Sequence, residues 1–230
     1  MPQGKVWEQE YRDSKLLHFN PEPQKDTLRF LKFLRRKCEF DLEGKRVLDL
    51  GSGTGRNANH IAKEGAIVTG IEISPTAVAI AKADAQKMRV KVNYLVKSFG
   101  EAFPFPNDTF DLIIDVTSSN SLNESEREIY LTEMNRTLKP GGYLFVKALC
   151  KEGDKNAKEL IKKSPGREKD TYYMKELGLT ERVFDREDFT HMYGNYFKLL
   201  SLDKKESYSK MNSRSYKRHF WLGYFQKVTL

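Results

Sequence analysis

The sequence predicts a doubly wound α/β fold built on a mostly parallel sheet. Five short apolar runs, rich in β-branched or aromatic residues, alternate with helical stretches through the centre of the chain. Apolar residues occupy both faces of these runs, as in strands that are covered on both sides. A glycine-rich turn leads from the first run into a helix. Repeated strand–helix–strand order implies right-handed crossovers and helices on both faces of the sheet.

The predicted elements follow from the hydrophobic periodicity of the sequence and from the residues that cap helices or form turns. The five strands are residues 46–50, 66–71, 92–96, 112–115 and 143–148. The four helices are residues 26–37, 56–64, 75–87 and 124–138. Ser74 as N-cap and Pro75 at the first helical position define the start of the third helix. Pro140, followed by Gly141 and Gly142, ends the fourth helix and permits a turn into the fifth strand.

The end of the chain has a different pattern. Residues 197–202 and 219–225 read as two more strands without a helix between them, joined by a polar stretch, residues 203–218. A hairpin-like finish fits this pattern best. At 230 residues, the chain has the length of one domain with a substantial core.

Composition narrows the class of protein. With 39% hydrophobic and 31% charged residues, the chain is an ordinary globular protein. No apolar stretch has the length of a secretory signal core or a membrane span, so a cytoplasmic location and no membrane partner are expected. Cys38 and Cys150 are expected to be free thiols. The four histidines lack metal-ligand spacing, so neither a metal site nor a catalytic role is assigned to them: His18, His60, His191 and His219.

The net charge of +8 is unevenly distributed. Residues 151–230 carry 18 basic and 12 acidic side chains, whereas residues 47–150 carry 11 and 12. A basic C-terminal third leaves nucleic-acid binding open. Because Lys and Arg alternate there with Glu and Asp, a solvated surface is the favoured interpretation.

The strongest motif is the segment from Val47 to Gly55, a buried strand that runs into a glycine-rich turn. Glycines let a nucleotide-like ligand approach the backbone and permit positive φ. A turn without a ligand is the alternative interpretation. A dinucleotide fingerprint requires its third glycine at position 56, where this chain has Arg56, and this argues against a nicotinamide-dependent oxidoreductase.

Two acids accompany the turn. Asp49 precedes the first glycine by two residues, where a carboxylate opposes phosphate and suits a cation. S-adenosylmethionine carries both an ammonium and a sulfonium. Glu72 ends the second strand, where an acid accepts hydrogen bonds from ribose hydroxyls. The two acids together favour a cationic adenosine derivative, although Glu72 taken alone is better interpreted as a carboxylate at a solvated strand end.

Four motifs in sequence resemble the class I S-adenosylmethionine-dependent methyltransferases. They are the Asp-x-Gly-x-Gly-x-Gly loop at Asp49 to Gly55, the acid Glu72, the run from Pro104 to Asp111 and the run from Leu138 to Gly142. The resemblance covers about a hundred central residues. It implies a seven-stranded sheet with an antiparallel last strand, and S-adenosyl-L-methionine as cofactor.

The resemblance also implies which residues bind the cofactor. They are Asp49, Gly51, Ser52, Gly53, Gly55, Glu72, Ile73, Ser98, Phe99 and Asp115. Many relatives have an Asp where this chain has Phe99, so the adenine contact here falls to Ser98, Glu101, a backbone carbonyl or a stacked Phe99 ring.

The segment from Trp7 to Tyr11 resembles, more distantly, the start of the thiopurine and tellurite-resistance methyltransferases, in which an aromatic segment lies over the cofactor. Under that interpretation both aromatic residues close the cleft and attract a sulfonium by cation–π interaction. Under the alternative, they only anchor an N-terminal helix.

The expected division of the single methyltransferase domain is an N-terminal cap (1–45), a cofactor-binding core (46–148), an acceptor-side insertion (149–196) and C-terminal hairpin strands (197–230). Methyl transfer depends on positioning more than on acid–base groups. No catalytic residue is assigned, but Asp115 is placed to act as a base or to hold the methionine end of the cofactor. The loop of residues 116–120 lacks the Pro-Pro-Tyr pattern of enzymes that methylate base amino groups.

The expected function is methyl transfer from S-adenosylmethionine to an acceptor. A small molecule is favoured because no recognisable nucleic-acid domain is attached. RNA, a protein, or a non-catalytic RNA- or protein-binding module on the same fold remain alternatives. The sequence leaves the oligomeric state open.

Overall fold

The computed structural model describes residues 3–14, 20–211 and 214–228 of the chain. His18 therefore lies outside the described residues. In chain order, the helices are α1 (Gly4–Arg12), α2 (Lys25–Lys37), α3 (Arg56–Lys63), α4 (Pro75–Lys87), α5 (Glu124–Thr137), α6 (Lys155–Lys163) and α7 (Arg186–Gly194). The strands are β1 (Arg46–Leu50), β2 (Ile67–Glu72), β3 (Val92–Val96), β4 (Phe110–Val116), β5 (Leu138–Leu149), β6 (Thr171–Met174), β7 (Leu179–Arg182), β8 (Lys198–Met211) and β9 (Arg214–Gln226).

The main sheet has seven strands in the order β3-β2-β1-β4-β5-β9-β8. Strands β1 to β5 are parallel, whereas β9 is antiparallel to both β5 and β8. The strand order reverses direction between β1 and β4, which is the position where open α/β sheets form a ligand crevice. The predicted doubly wound fold with an antiparallel last strand is confirmed.

Helices cover both faces of the sheet. On one face, α2, α3 and α4 pack against alternate residues of the central strands, and Phe30 stacks on Phe145 at 4.9 Å between ring centroids. On the other face, α5 and α7 contribute Tyr130 and Tyr193 to a second apolar cluster. Both faces of the central strands are therefore buried, which explains their continuous apolar sequence.

The helix boundaries follow the predicted capping chemistry. The Ser74 hydroxyl accepts the Ala77 amide at 3.1 Å, and α4 begins at Pro75 as predicted. At α5, Asn123 and Glu126 form a capping box. Helix α5 ends at Thr137 and β5 begins one residue later, so Pro140 lies within the first, irregular part of the strand and not at the helix end.

The C-terminal strands are longer than the sequence predicted. Residues 203–218 were expected to be a polar connection, but β8 and β9 pair continuously from Lys198 opposite Gln226 to Met211 opposite Arg214. Only the last part of β9 pairs with β5, so the two strands extend beyond the sheet as a ribbon. Pairing between the two backbones forms this ribbon, and the mostly polar sequence of residues 203–218 has no hydrophobic alternation that would predict a strand.

Residues 149–196 contain α6, α7 and the separate two-stranded sheet of β6 and β7. A small apolar cluster joins Tyr172 of β6 to Ala157 of α6 and Phe220 of β9. No helix within the described residues is long and apolar enough to span a bilayer.

The packing of α2 on the sheet makes a testable prediction. Phe30 is fully buried between Phe145 and Tyr224, so Phe30→Ala is expected to lower the free energy of unfolding by about 3–5 kcal/mol through lost burial and a residual cavity. Leu28→Ala, on the exposed side of the same helix, is the matched control and is expected to cost less than about 1 kcal/mol. Urea titration monitored by circular dichroism measures both, and equal midpoints for the two variants contradict this packing.

Candidate active site

A cleft of about 400 Å³ lies at the carboxyl ends of β1, β2, β4 and β5. Its wall brings together eight of the ten residues that the sequence singled out for cofactor binding: Asp49, Gly51, Ser52, Gly53, Glu72, Ile73, Ser98 and Phe99. Gly55 and Asp115 are not on this wall. The cleft therefore occupies the switch point between β1 and β4, with the glycine-rich turn as its floor.

The three glycines of the turn all have positive φ, +66° at Gly51, +54° at Gly53 and +79° at Gly55. Gly55 has a packing role, since a Cβ there would lie 2.2 Å from the Tyr94 hydroxyl. Gly53 allows Tyr11 of α1 to lie close to the turn, since a Cβ there would lie 2.7 Å from the Tyr11 hydroxyl. The turn needs glycine both for its backbone conformation and for close approach.

Asp49 is buried beneath the turn, and its Oδ2 atom has no hydrogen-bond partner among the described residues. Burial, together with the nearby carboxyls of Asp115 and Glu72, raises the pKa of Asp49 to about 8. A cation in the cleft would offset both effects, whereas a phosphate would add to the repulsion. The residues present therefore fit a cationic ligand.

Glu72 connects two parts of the site. Its Oε2 accepts the Gly53 amide at 3.0 Å and its Oε1 accepts the Ser74 amide at 2.9 Å, so one carboxylate holds both the glycine turn and the start of α4. Burial raises the pKa of Glu72 against the effect of these hydrogen bonds. Each oxygen keeps a further lone pair, which suits ribose hydroxyls.

On the side expected to hold adenine, Ser98 and Phe99 follow β3. The Ser98 hydroxyl accepts the Gly100 amide at 3.1 Å, which leaves its own proton to donate. The Phe99 ring is buried on the cleft wall, with its centroid 5.8 Å from that of Tyr130. The side chains at this end therefore offer an apolar ring surface more than hydrogen-bond acceptors.

Asp115 lies behind the cleft. Its Oδ1 accepts the amides of Ser118 and Ser119 at 3.0 and 3.3 Å, and its Oδ2 accepts the Tyr130 hydroxyl at 2.6 Å. The side chain is fully buried, so it holds the loop after β4 in place. Contact between Asp115 and a cofactor stays a prediction, and this position does not favour it.

Helix α1 covers the cleft, and Trp7 and Tyr11 both lie on its wall. The Glu8 carboxylate accepts the Ser74 hydroxyl at 2.6 Å and the Thr76 hydroxyl at 2.7 Å, at the N-terminus of α4. Burial opposes the charge, but these hydrogen bonds, the Thr76 amide and Arg12 lower the pKa of Glu8 to about 2. Glu8 is thus ionised at neutral pH and holds α1 against the start of α4, a contact that we call the Glu8 latch.

Gln3 attaches the N-terminus of α1. Its side-chain amide donates to the carbonyls of Ser121 and Thr180 at 2.7 and 2.8 Å, and accepts the Thr180 amide at 2.6 Å. Sequence reasoning missed both Gln3 and Glu8. A short polar helix carries no signal for which distant element it contacts.

Cationic side chains of the wall were also missed. Arg56 was noted only as the residue that replaces a glycine, and Lys147 lies within an apolar strand sequence. Both line the cleft together with Arg218 and Phe220 of β9. A lysine inside an otherwise apolar strand was the one signal available in the sequence.

The fold and the cleft are similar to those of class I S-adenosylmethionine-dependent methyltransferases. Residues 47–142 match the family model described as "Methyltransferase domain", so this segment belongs to that family. S-adenosylmethionine is the methyl donor of the family.

Named relatives agree with this class. The chain is 38% identical over 103 residues to demethylmenaquinone methyltransferase of Tropheryma whipplei, covering 45% of this chain and 41% of the relative. It is 31% identical over 130 residues to ubiquinone biosynthesis O-methyltransferase of Coxiella burnetii, covering 55% and 54%. The chain thus spans about half the length of these relatives or less.

Solved structures share the fold. A SAM-dependent methyltransferase from Methanosarcina mazei superimposes with a TM-score of 0.72 at 22% identity, covering 84% of this chain and 97% of that one. TehB from Haemophilus influenzae superimposes with a TM-score of 0.65 at 17% identity, covering 89% and 62%. At these identities the likeness concerns the fold alone.

The raised pKa of Asp49 predicts a pH-dependent affinity. A cation favours the ionised carboxylate, so binding of S-adenosylmethionine is expected to release up to one proton. Its affinity is therefore expected to rise by up to about tenfold for each unit by which the pH increases towards 8. Calorimetry in buffers of different ionisation enthalpy measures the released proton. Asp49→Asn is expected to abolish both the release and the pH slope. An affinity that is independent of pH in the unaltered protein argues against this linkage.

The latch predicts a second outcome. Glu8→Ala removes the hydrogen bonds to the start of α4, so the amides of residues 4–12 are expected to exchange hydrogen roughly tenfold faster. Gln9→Ala, an exposed position on the same helix, is the control and is expected to change little. Mass spectrometry of deuterated peptides makes the comparison, and equal exchange in both variants excludes a latch at Glu8.

Proposed function

We propose that the protein transfers a methyl group from S-adenosylmethionine to a small-molecule acceptor. The observation that carries this proposal is the buried acid pair beneath a covered glycine turn. Asp49, whose Oδ2 has no hydrogen-bond partner among the described residues, fits the charged amino-acid end of the donor, and Glu72 fits its ribose. Ile73, Ser98 and Phe99 supply the surface for adenine.

The bound donor supplies a methyl group on a positively charged sulfur, which keeps the bonding electron pair when the acceptor donates a new pair to that methyl. The chain's own residues position the reactants. Glu72 fixes the glycine turn against α4, and α1 closes over the cleft with Trp7 and Tyr11 facing inward. Their rings exclude water and favour a cation near an aromatic face.

A small acceptor is supported by the shape of the cleft. Its volume of about 400 Å³ is in the range of small-molecule sites. Helix α1 lies across it, attached by Gln3 at its N-terminus and by Glu8 at its middle, which restricts access by a polymer. The two named relatives act, by their names, in demethylmenaquinone methylation and in ubiquinone biosynthesis.

The segment of residues 149–196 is proposed to shape acceptor choice. Glu181 of β7 lies on the cleft wall and accepts the Tyr172 hydroxyl at 2.6 Å. Thr180 beside it binds Gln3 of the covering helix. The segment therefore contacts both the cleft and its cover.

The test has two stages, binding and then transfer. Calorimetry is expected to show binding of S-adenosylhomocysteine, weakened roughly 10- to 100-fold in Glu72→Ala because a buried charged acceptor is lost. Glu159→Ala, an exposed acid in a surface ion pair with Lys163, is the matched control and is expected to bind as the unaltered protein does. Absence of binding by correctly folded protein would falsify the proposed cofactor.

For the acceptor, methyl-labelled donor is incubated with a cell extract, which is then divided into metabolites, RNA and protein. Label in the metabolite fraction, dependent on Glu72, is the expected result. Label confined to RNA overturns the small-molecule acceptor and gives the basic C-terminal third a role in substrate binding. Label confined to protein overturns it in favour of a protein acceptor.

A further inference from the structure

The cleft is lined by both acidic and basic side chains. Asp49 and Glu72 mark the part assigned above to the cofactor and Lys147 belongs to β5, whereas Arg56, at the start of α3, is near enough to influence both Asp49 and Lys147. Neither basic residue has a role in the proposed cofactor contacts. Burying a positive charge is costly unless a counter-charge accompanies it, so the partners of each need to be accounted for.

Lys147 shares its partner. Its Nζ lies 2.9 Å from Oδ2 of Asp26, and Lys205 forms a short contact with Oδ1 of the same carboxylate. The Gln24 side-chain oxygen accepts a further hydrogen bond from Lys147 at 3.3 Å. Two ammonium groups therefore face one carboxylate, and this cluster keeps a positive surplus on the cleft wall.

Arg56 adds to this surplus. It is partly buried at the first position of α3, and its side chain makes no hydrogen bond or ion pair with the described part of the chain. Burial lowers the pKa of Arg56 against the effect of Tyr11 and Asp49, and the pKa of about 8 leaves Asp49 mainly protonated at neutral pH without a cationic ligand. Burial and the neighbouring positive charges of Lys205 and Arg56 lower the pKa of Lys147, against the pull of Asp26.

The third basic residue of the wall is different. Arg218 donates to Asp154 at 3.0 Å and to the Tyr172 hydroxyl at 2.9 Å, and that hydroxyl in turn donates to Glu181. Two carboxylates thus face one guanidinium. Arg218 therefore adds no uncompensated positive charge, and such charge on the wall is confined to Arg56 and the Lys147 cluster.

The surroundings of this charge also limit the ligand. The Lys147 ammonium lies 4.6 Å from the centroid of the Phe220 ring, and Leu149 and Trp7 line the same cleft. No histidine lies on the described wall, and its glutamates Glu126 and Glu181 already accept hydrogen bonds from the Asn123 amide and the Tyr172 hydroxyl. An acceptor that is already anionic needs no base to remove its proton.

We propose that Arg56 and Lys147 bind an anionic oxygen group of the methyl acceptor, a carboxylate or a deprotonated hydroxyl, on a largely apolar or aromatic molecule. This inference rests on the proposed function. The anion compensates the surplus charge of the wall, and its apolar part packs against Phe220 and Leu149. Arg56 is therefore a specificity-determining residue.

The test uses two acid–amide pairs of equal shape, 1-naphthoate with 1-naphthamide and decanoate with decanamide. Each is titrated into the full chain saturated with S-adenosylhomocysteine, with Trp7 fluorescence as the readout and Trp7→Phe as the control for the reporter. At least one acid is expected to bind roughly tenfold more tightly than its amide, because a charge-assisted contact is lost with the amide. Equal binding of acid and amide in both pairs, or binding of neither at millimolar concentration, overturns the proposal.

Variants assign the preference to residues. Arg56→Met and Lys147→Met are expected to reduce the acid-over-amide ratio towards one, whereas Arg56→Lys retains most of it. Lys63→Met removes the same charge from an exposed position of the same helix and is expected to leave the ratio unchanged. Because Lys147→Met leaves Asp26 with one lysine, its folding is checked by thermal denaturation, and Arg56→Met carries the conclusion if it unfolds.

The amino-acid carboxylate of the cofactor is the alternative anion that Arg56 could bind. S-adenosylhomocysteine and 5′-methylthioadenosine, which lacks the amino-acid part, are therefore compared in Arg56→Met. Unchanged affinity for both supports the acceptor assignment, and a loss of roughly tenfold for S-adenosylhomocysteine alone assigns Arg56 to the cofactor and overturns it. Failure of the unaltered protein to bind S-adenosylhomocysteine is a failure of the proposed function and is recognised before any acid is added.

Discussion

Two carboxylates buried beneath one glycine turn are the constraint on which the site depends. Glu72 is stabilised there by backbone amides from two elements, whereas Asp49 has an oxygen without any partner among the described residues. Such burial disfavours the charged form, and hydrogen-bond donors or a positive charge nearby oppose that effect. The sheet provides this place because its strand order reverses beside Asp49, so no crossover helix covers the strand ends.

Ser74 couples this acid pair to the cover of the cleft. Its amide donates to Glu72, its hydroxyl donates to Glu8 of α1, and the same hydroxyl caps α4. The N-terminus of a helix favours negative charge, so Glu72 and Glu8 both lie where the dipole of α4 stabilises them. Closure over the cofactor end and the geometry of the ribose-side acid therefore depend on the same few atoms.

The division of charge along the cleft gives the site a direction. Acids lie beneath the glycine turn, and a positive surplus lies towards β5, where Asp26 is shared between Lys147 and Lys205. A cationic donor at one end and an anionic acceptor at the other would each meet the opposite charge. Their approach then brings unlike charges together at the reacting atoms, which electrostatics favours in a cleft closed from water.

The covering helix is held by polar contacts of Gln3 at its N-terminus and of Glu8 at its middle. Polar contacts exchange readily with water, so their net contribution to a closed state is small. A cover held in this way suits a cleft that must admit and release ligands, whereas the apolar layers on either side of the sheet hold the frame.

The sequence by itself determined the fold class and the cofactor end of the site. Strand period, the cap at Ser74 and the glycine turn act over a few residues, so local pattern carries them, and eight of the ten residues singled out do meet on one wall. Tertiary structure decided the rest. The side chain of Asp115 is directed away from the cleft by three hydrogen bonds, and Gln3, Glu8 and Lys147 acquire their roles from partners far along the chain. Contacts between distant residues are set by packing and pairing in three dimensions, and no local periodicity records them.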